Sequence, residues 1–518
     1  MSQVNHSSKP SKELEKAEYI SRYGKILVQL YAAFRNAETE VKERILRVEA
    51  SWLRTSDQLE FLKRIAELLD EQHKLVQQET LRVLASKLET AITKLESILK
   101  TTKKNDLAQD EGHQINRVKY LFLKESIDNA IEDLKVWQDV FDPSWFLIMK
   151  AATPQVDTEL RRTVEISANR QALHSAQSLR MAVSGNEPAS STIFFPENGL
   201  GSIQLLDIPF SSVKLGERPG PGSNLILDRI PCSPLINPSI LRKSIATLAL
   251  KLSHSDPTTF GLLTCKGVVV HNHNRREQLP EFTLILRIPL GYSEPQTLRS
   301  YLVQQHTNHS LSDRFKLAKD LVKAVGYVHT FGFVHKSIRP ETILVFKSST
   351  STIGSVSLVG FENFRTEDGR TLHSGDTTWE KNLYRHPRRQ GENPEDDYVM
   401  QHDIYSLGVC LLELGLWESF VNYNEDATIA QPSQALSLPT EFSMAATMLL
   451  MKDHFVSLTR TLLPIRMGNN YAEIVETCLT CLDEKNSDFG DENEFLDQDG
   501  IRVGVRYIEK VTSLQVNM

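Results

Sequence analysis

The sequence predicts a multidomain α and α+β protein: an all-α helical bundle, then a small β-rich lobe, then a larger helical lobe. Three observations predict it. Between residues 11 and 182 glycine is sparse, proline occurs only at Pro143 and Pro154, and apolar residues recur at helical spacing. From Ser184 to about Ser223, glycine and proline punctuate apolar runs of strand length. From Leu298 onward the helical period returns.

Each element follows from its residues. Tyr23, Ile26, Leu27, Leu30, Tyr31 and Phe34 share one helix face, and Val41, Ile45, Val48 and Trp52 continue the pattern on a second helix. Ser56 and Asp57 are N-cap candidates for the stretch that begins at Leu59 and runs through Leu81, Leu88 and Leu99, as one long helix or two in line. Ile127, Ala130, Ile131, Leu134 and Trp137 form another stripe, closed by Asp142-Pro143, and a last helix covers Val156 to Met181. One-sided stripes must bury their faces on neighbours, so a bundle of four to six helices is expected. Ser202–Leu206, Asn224–Leu227, Gly267–Val270 and Phe282–Leu286 read as strands, with a helix from Ile240 to Leu252 between them. The expected boundaries are a disordered N-terminus over 1–10, the bundle over 11–183, linker and β-rich lobe over 184–296, and the helical lobe over 297–518.

Composition narrows the function classes. A chain of 518 residues holds two to four folding units and buries its own core. Lys plus Arg number 59 against 66 Asp plus Glu, a net charge of −7, which excludes a broad nucleic-acid-binding face. Five scattered cysteines make no secreted disulfide framework, no apolar run reaches membrane-spanning length, and the N-terminus lacks a signal-peptide core. A cytoplasmic protein is expected, peripheral at membranes if the bundle opens onto lipid.

The motifs that carry chemistry lie in the helical lobe. The helix from Leu311 to Thr330 runs into Phe333-Val334-His335-Lys336-Ser337-Ile338-Arg339-Pro340-Glu341-Thr342-Ile343-Leu344. This resembles the catalytic loop of the protein-kinase superfamily, H-R-D-L-K-P-E-N-I-L. Val356–Glu362 stands where the strand leading into D-F-G belongs, Tyr384-Arg385-His386-Pro387 resembles the end of the activation segment, and Asp403–Val409 resembles the start of the buried helix of the large lobe. The resemblance covers roughly Ser191 to Met518 and implies a bilobal protein-kinase-like fold. It also implies structural roles for His335 and Pro340, which shape the loop, and for Asp403, which accepts backbone N–H bonds from it.

Departures from the family pattern set the functional expectation. The family's proton-accepting Asp falls on Ser337, its metal-holding Asn on Thr342, and the Asp of D-F-G on Gly360. A hydroxyl without a base does not take a proton at neutral pH, and two oxygen ligands for magnesium are lost together. No lysine occurs near Leu225–Ile230, where Arg229 is the only cation available to a nucleotide cleft, and the helix Ile240–Leu252 has no acidic residue. Gly199-Leu200-Gly201 imitates a phosphate loop, but Gln204 holds the third glycine position. The resemblance with these departures implies a pseudokinase that is not an enzyme, with weak ATP binding, no magnesium and no resident cofactor. Its order of parts resembles mixed-lineage-kinase-like pseudokinases and fungal proteins pairing a HeLo-like helical domain with a kinase-like domain. That order implies a signalling switch or scaffold controlling the bundle, with other proteins or a second copy of the chain as partners. An atypical active Ser/Thr kinase and a membrane-perturbing effector are the alternatives. Asp488-Phe489-Gly490 lies outside the family order, the acidic loop 483–499 does not fit an EF-hand, Cys478-x-x-Cys481 lacks a second pair, and His271-x-His273 reads as a hairpin tip.

Overall fold

In the computed structural model the chain divides into two compact units, residues 1–180 and 181–518. The structure describes residues 20–29, 39–65, scattered positions between 81 and 149, 154–166, 171–184, 193–196 and 203–218; from 224 to 489 it describes all but short segments. The sequence expectations for 1–10, for Leu30, Tyr31 and Phe34, for the Gly199–Gly201 turn, for His273 and for the acidic loop beyond 489 lie outside these residues.

The described residues of the first unit are helical. α1 spans Thr39–Ile65 without a break, so Ser56 and Asp57 lie inside one helix rather than capping a second. With neither Gly nor Pro between 39 and 65, nothing stops the helix at those two polar residues. Its buried face carries Ile45, Val48, Trp52, Leu59, Leu62 and Ile65. Phe61 meets Trp145 edge to face at 5.6 Å, and Arg64 donates to Thr163 at 3.3 Å on α2, Pro154–Ile166. Two helices, α2 and α3 (Gln171–Ser184), replace the single one expected from Val156 to Met181. Arg180 on α3 joins Asp157 on α2 and donates to the Met149 carbonyl at 2.6 Å. Among the described residues no helix is long and apolar enough to cross a membrane.

The second unit is mixed sheet and helix. Strands β1 (Phe194–Phe195), β2 (Gln204–Asp207), β3 (Lys214–Glu217), β4 (Leu225–Pro231), β5 (Thr264–His271) and β6 (Glu281–Arg287) form a six-stranded sheet of order β1-β5-β6-β4-β3-β2. β4 pairs antiparallel with both β6 and β3, which makes it central. Helix α4, Pro238–Ser253, starts on an Asn237 cap with Pro238 in its first turn and buries Leu241, Ile245, Leu248, Ala249 and Leu252. After β7 (Tyr292–Thr297) and the short α5 (Leu298–Val303), α6 covers Leu311–Thr330 behind a Ser310–Asp313 capping box. The chain then turns through the left-handed Gly332 into β8 (Phe333–Val334), β9 (Ile343–Ser348), β10 (Val356–Leu358) and β11 (Arg365–Thr366). α7, Met400–Leu416, is buried on every side. It lies against α8 (Met444–Met467) and α9 (Asn469–Leu479), and Gly408 lets α9 come so near that a Cβ there would sit 2.8 Å from Cys478 Cβ.

Candidate functional site

The stretch after β8 is organised by one buried carboxylate. Asp403, in the first turn of α7, accepts the backbone N–H of His335 at 2.7 Å and of Lys336 at 2.9 Å. Tyr398 donates to it at 2.7 Å, and His329 of α6 lies at 3.1 Å. Burial pushes this carboxyl up, but His329 and Tyr398 more than offset that and hold it below the ordinary carboxylate range. The double backbone contact also holds Lys336 at a φ of 66°, a left-handed conformation that lysine rarely adopts.

His335 points the other way. Its Nε2 lies 3.0 Å from the Val359 carbonyl and its Nδ1 accepts the Ser337 N–H at 3.3 Å, so the ring is the neutral Nε2–H tautomer. Burial pushes its pKa down to about 4, which keeps it uncharged at neutral pH. The ring lies against Phe361, 4.8 Å between centroids, which seats the loop on the segment after β10.

Pro340 opens a 3-10 turn, Pro340–Thr342. Thr342 Oγ1 lies 2.8 Å from the Ser337 carbonyl and 2.9 Å from that of Arg339, and accepts the Arg339 N–H at 3.2 Å, so it braces the turn from within. Its methyl group fixes the next residue as well. Gly360 sits at φ 82°, and a Cβ there would lie 2.5 Å from Thr342 Cγ2. The two positions that the sequence resemblance matched to metal-binding side chains form a packing pair.

β4 supplies the residue that the sequence reading passed over. Asp228 is 1% exposed, and its Oδ2 accepts the N–H of Gly360 at 2.8 Å and of Phe361 at 3.1 Å. Its Oδ1 is buried with no hydrogen-bond partner. Burial dominates the balance and raises the carboxyl to about 6. Arg229 is the next residue and projects from the opposite face of the strand. It is half exposed and pairs with Glu281 on β6, so the cation expected at the cleft is held on the outer side of the sheet. The available signal was period two: Ile226, Asp228 and Ile230 share one face, and a lone acid between two buried isoleucines has to be buried too.

Ser337 is buried and its Oγ accepts Asn363 Nδ2 at 3.0 Å. The same Asn363 amide lies 3.4 Å from Glu362 Oε1, which also receives Arg339 Nη2 at 3.2 Å. The segment after β10 thus brings a partly exposed carboxylate to within one side chain of the serine. Below it, Arg299 is fully buried among Glu341 (2.8 Å), Glu413 (2.8 Å), Ser419 (2.6 Å) and Tyr384, which ties the loop to α7 and to the 377–392 segment. Among the described residues no group of three or more His, Cys, Asp or Glu side chains is placed to hold a metal ion.

No protein-family profile matches the chain. Curated relatives do. The probable serine/threonine-protein kinase PknB of Lactococcus lactis is 24% identical over 135 residues, 26% of this chain and 20% of that protein. The eukaryotic translation initiation factor 2-alpha kinase PK4 of Plasmodium falciparum is 27% identical over 107 residues, 18% of this chain and 9% of the relative. Eukaryotic translation initiation factor 2-alpha kinase 1 of Rattus norvegicus is 28% identical over 137 residues, 25% of this chain and 21% of the relative. The chain therefore spans about a fifth or less of the length of these relatives. They correct one expectation. Ser337, Thr342 and Gly360 led to a chain that is not an enzyme, yet every one of these relatives is named as a protein kinase. At this low identity and partial coverage, the chain carries a protein-kinase-like domain.

Proposed function

We propose that the chain is a signalling switch in which the kinase-like unit controls the N-terminal helical unit. The observation that carries this reading is the Asp228 contact with the Gly360 and Phe361 amides. Two successive backbone N–H groups make a small anion-binding concavity, here filled by the chain's own carboxylate. An incoming phosphate has to displace Asp228 or overcome its charge, so nucleotide binding is weak and gains little from magnesium. Releasing the contact frees the 360–366 segment, which gives two states that a ligand or partner protein biases by its differential affinity. Other proteins, or a second copy of the chain, are the partners of the helical unit, and its location is cytoplasmic.

A second reading is phosphoryl transfer of an unorthodox kind, and Glu362 favours it. Linked to Ser337 through Asn363, it is a carboxylate placed to accept a hydroxyl proton that the serine cannot. One paired experiment on the full chain separates the readings: melting temperature with ATP, with and without magnesium, alongside radiolabelled phosphoryl transfer. The switch reading expects a small shift indifferent to magnesium, and a larger ATP shift for Asp228→Asn. Magnesium-dependent transfer that is lost in Glu362→Gln would replace it with the second reading.

A further inference from the structure

A second buried cluster lies where the 377–392 segment meets α7, and the kinase-like site does not use it. His386 Nδ1 accepts the Arg388 N–H at 3.4 Å, and His402 Nδ1 accepts the Val399 N–H at 3.0 Å. A neutral imidazole carries one proton, so both rings must bear it on Nε2. The rings lie 5.8 Å apart, and His386 meets Tyr405 edge-on at 5.1 Å. His386 Nε2, His402 Nε2 and Tyr405 Oη are all buried without a hydrogen-bond partner. Two imidazole N–H donors and a hydroxyl share one buried cluster and none of the three is satisfied, a costly arrangement unless something accepts from them.

We propose that these three donors hold a buried monovalent anion of halide size, which fastens the 377–392 segment to α7. The charges around the cluster balance, with Arg388, Arg389 and Lys452 set against Asp403, Asp453 and Asp483, so the case for an anion rests on the three donors themselves. Arg389 lies over the Tyr398 ring, which also meets His402 and Lys336, and Arg388 faces His386 from the same segment. From α8 come Lys452 and Asp453, and Asp483 follows α9; Lys452 and Asp483 pair with each other. Asp403, on α7 itself, is engaged with the His335 and Lys336 amides. The Cys481 thiol stays protonated because burial pushes it up. Burial likewise pushes His386 down to about 4 and His402 to about 3, so at neutral pH both present an N–H and neither brings its own charge. A transition metal is the wrong guest, since the Nε2 lone pairs it needs are taken up by protons.

The test uses the full chain at pH 7.5 with chloride exchanged for gluconate at constant ionic strength. The melting temperature is expected to be about 2–4 °C higher in chloride, and crystals grown in bromide to show an anomalous peak beside the two Nε2 atoms and Tyr405 Oη. Tyr405→Phe keeps the ring and removes one donor, so it should at least halve the chloride effect; His386→Gln serves as a second variant with the same readout. An ordinary water at that position in bromide crystals, or melting indifferent to chloride, overturns the proposal.

Discussion

Two aspartates in this protein are equally buried, each accepts two successive backbone N–H groups, and their protons behave in opposite ways. Asp403 has Tyr398 and His329 in addition to the amides, and both of its oxygens are engaged. Its carboxyl sits below the ordinary range. Asp228 has the amides alone, leaves Oδ1 without a partner, and rises to about 6. Burial by itself does not fix a carboxylate's state; the number of donors at each oxygen does. Asp403 is thus a permanent anchor for the loop after β8, whereas Asp228 is a contact that can be released.

The largest effect belongs to the anchor. Asp403→Ala leaves the His335 and Lys336 amides and the Tyr398 hydroxyl unsatisfied in the core and frees a left-handed lysine. Urea unfolding should show a loss of about 4 kcal/mol, the scale for breaking a buried charged network. Next comes the pH dependence of Asp228. Its folded-state value, about 6, lies above the ordinary 3.8, so its contribution to stability is complete below the unfolded value and lost as pH rises through about 6. Stability should therefore fall by roughly 3 kcal/mol across that window, and Asp228→Asn should flatten the slope. Gly360→Ala follows, at about 2 kcal/mol, from the left-handed backbone and the Thr342 methyl. The same change made in a Thr342→Ser background should cost measurably less, because Cγ2 is gone. Arg229→Ala is the smallest, under about 1 kcal/mol, since its pair with Glu281 is at the surface.

Much of the second unit was legible because local chemistry and tertiary structure agree there. The Ser310–Asp313 box and Gly332 bracket α6 at the residues its stripe indicates, and the Asn237-Pro238 start does the same for α4. Ser56 and Asp57 misled because a good N-cap residue is only a stop signal when the preceding chain has a reason to leave the helix, and α1 has none. Asp228 was hidden for another reason. Period two puts it on a buried face, but a lone acid there has no visible partner, and only the amides 132 and 133 residues away in sequence make its burial tolerable. The pairing of Gly360 with Thr342 was invisible for the same cause: each looked like a lost side chain, and only the fold shows that each requires the other.

Amide hydrogen exchange on the full chain tests most directly whether Asp228 holds the Gly360 and Phe361 amides. At pH 7.5 those two amides should exchange slowly in the wild type and at least tenfold faster in Asp228→Ala, while the His335 and Lys336 amides on Asp403 stay protected in both. Equal exchange of Gly360 and Phe361 in wild type and variant, at the rate of an open loop, would contradict it.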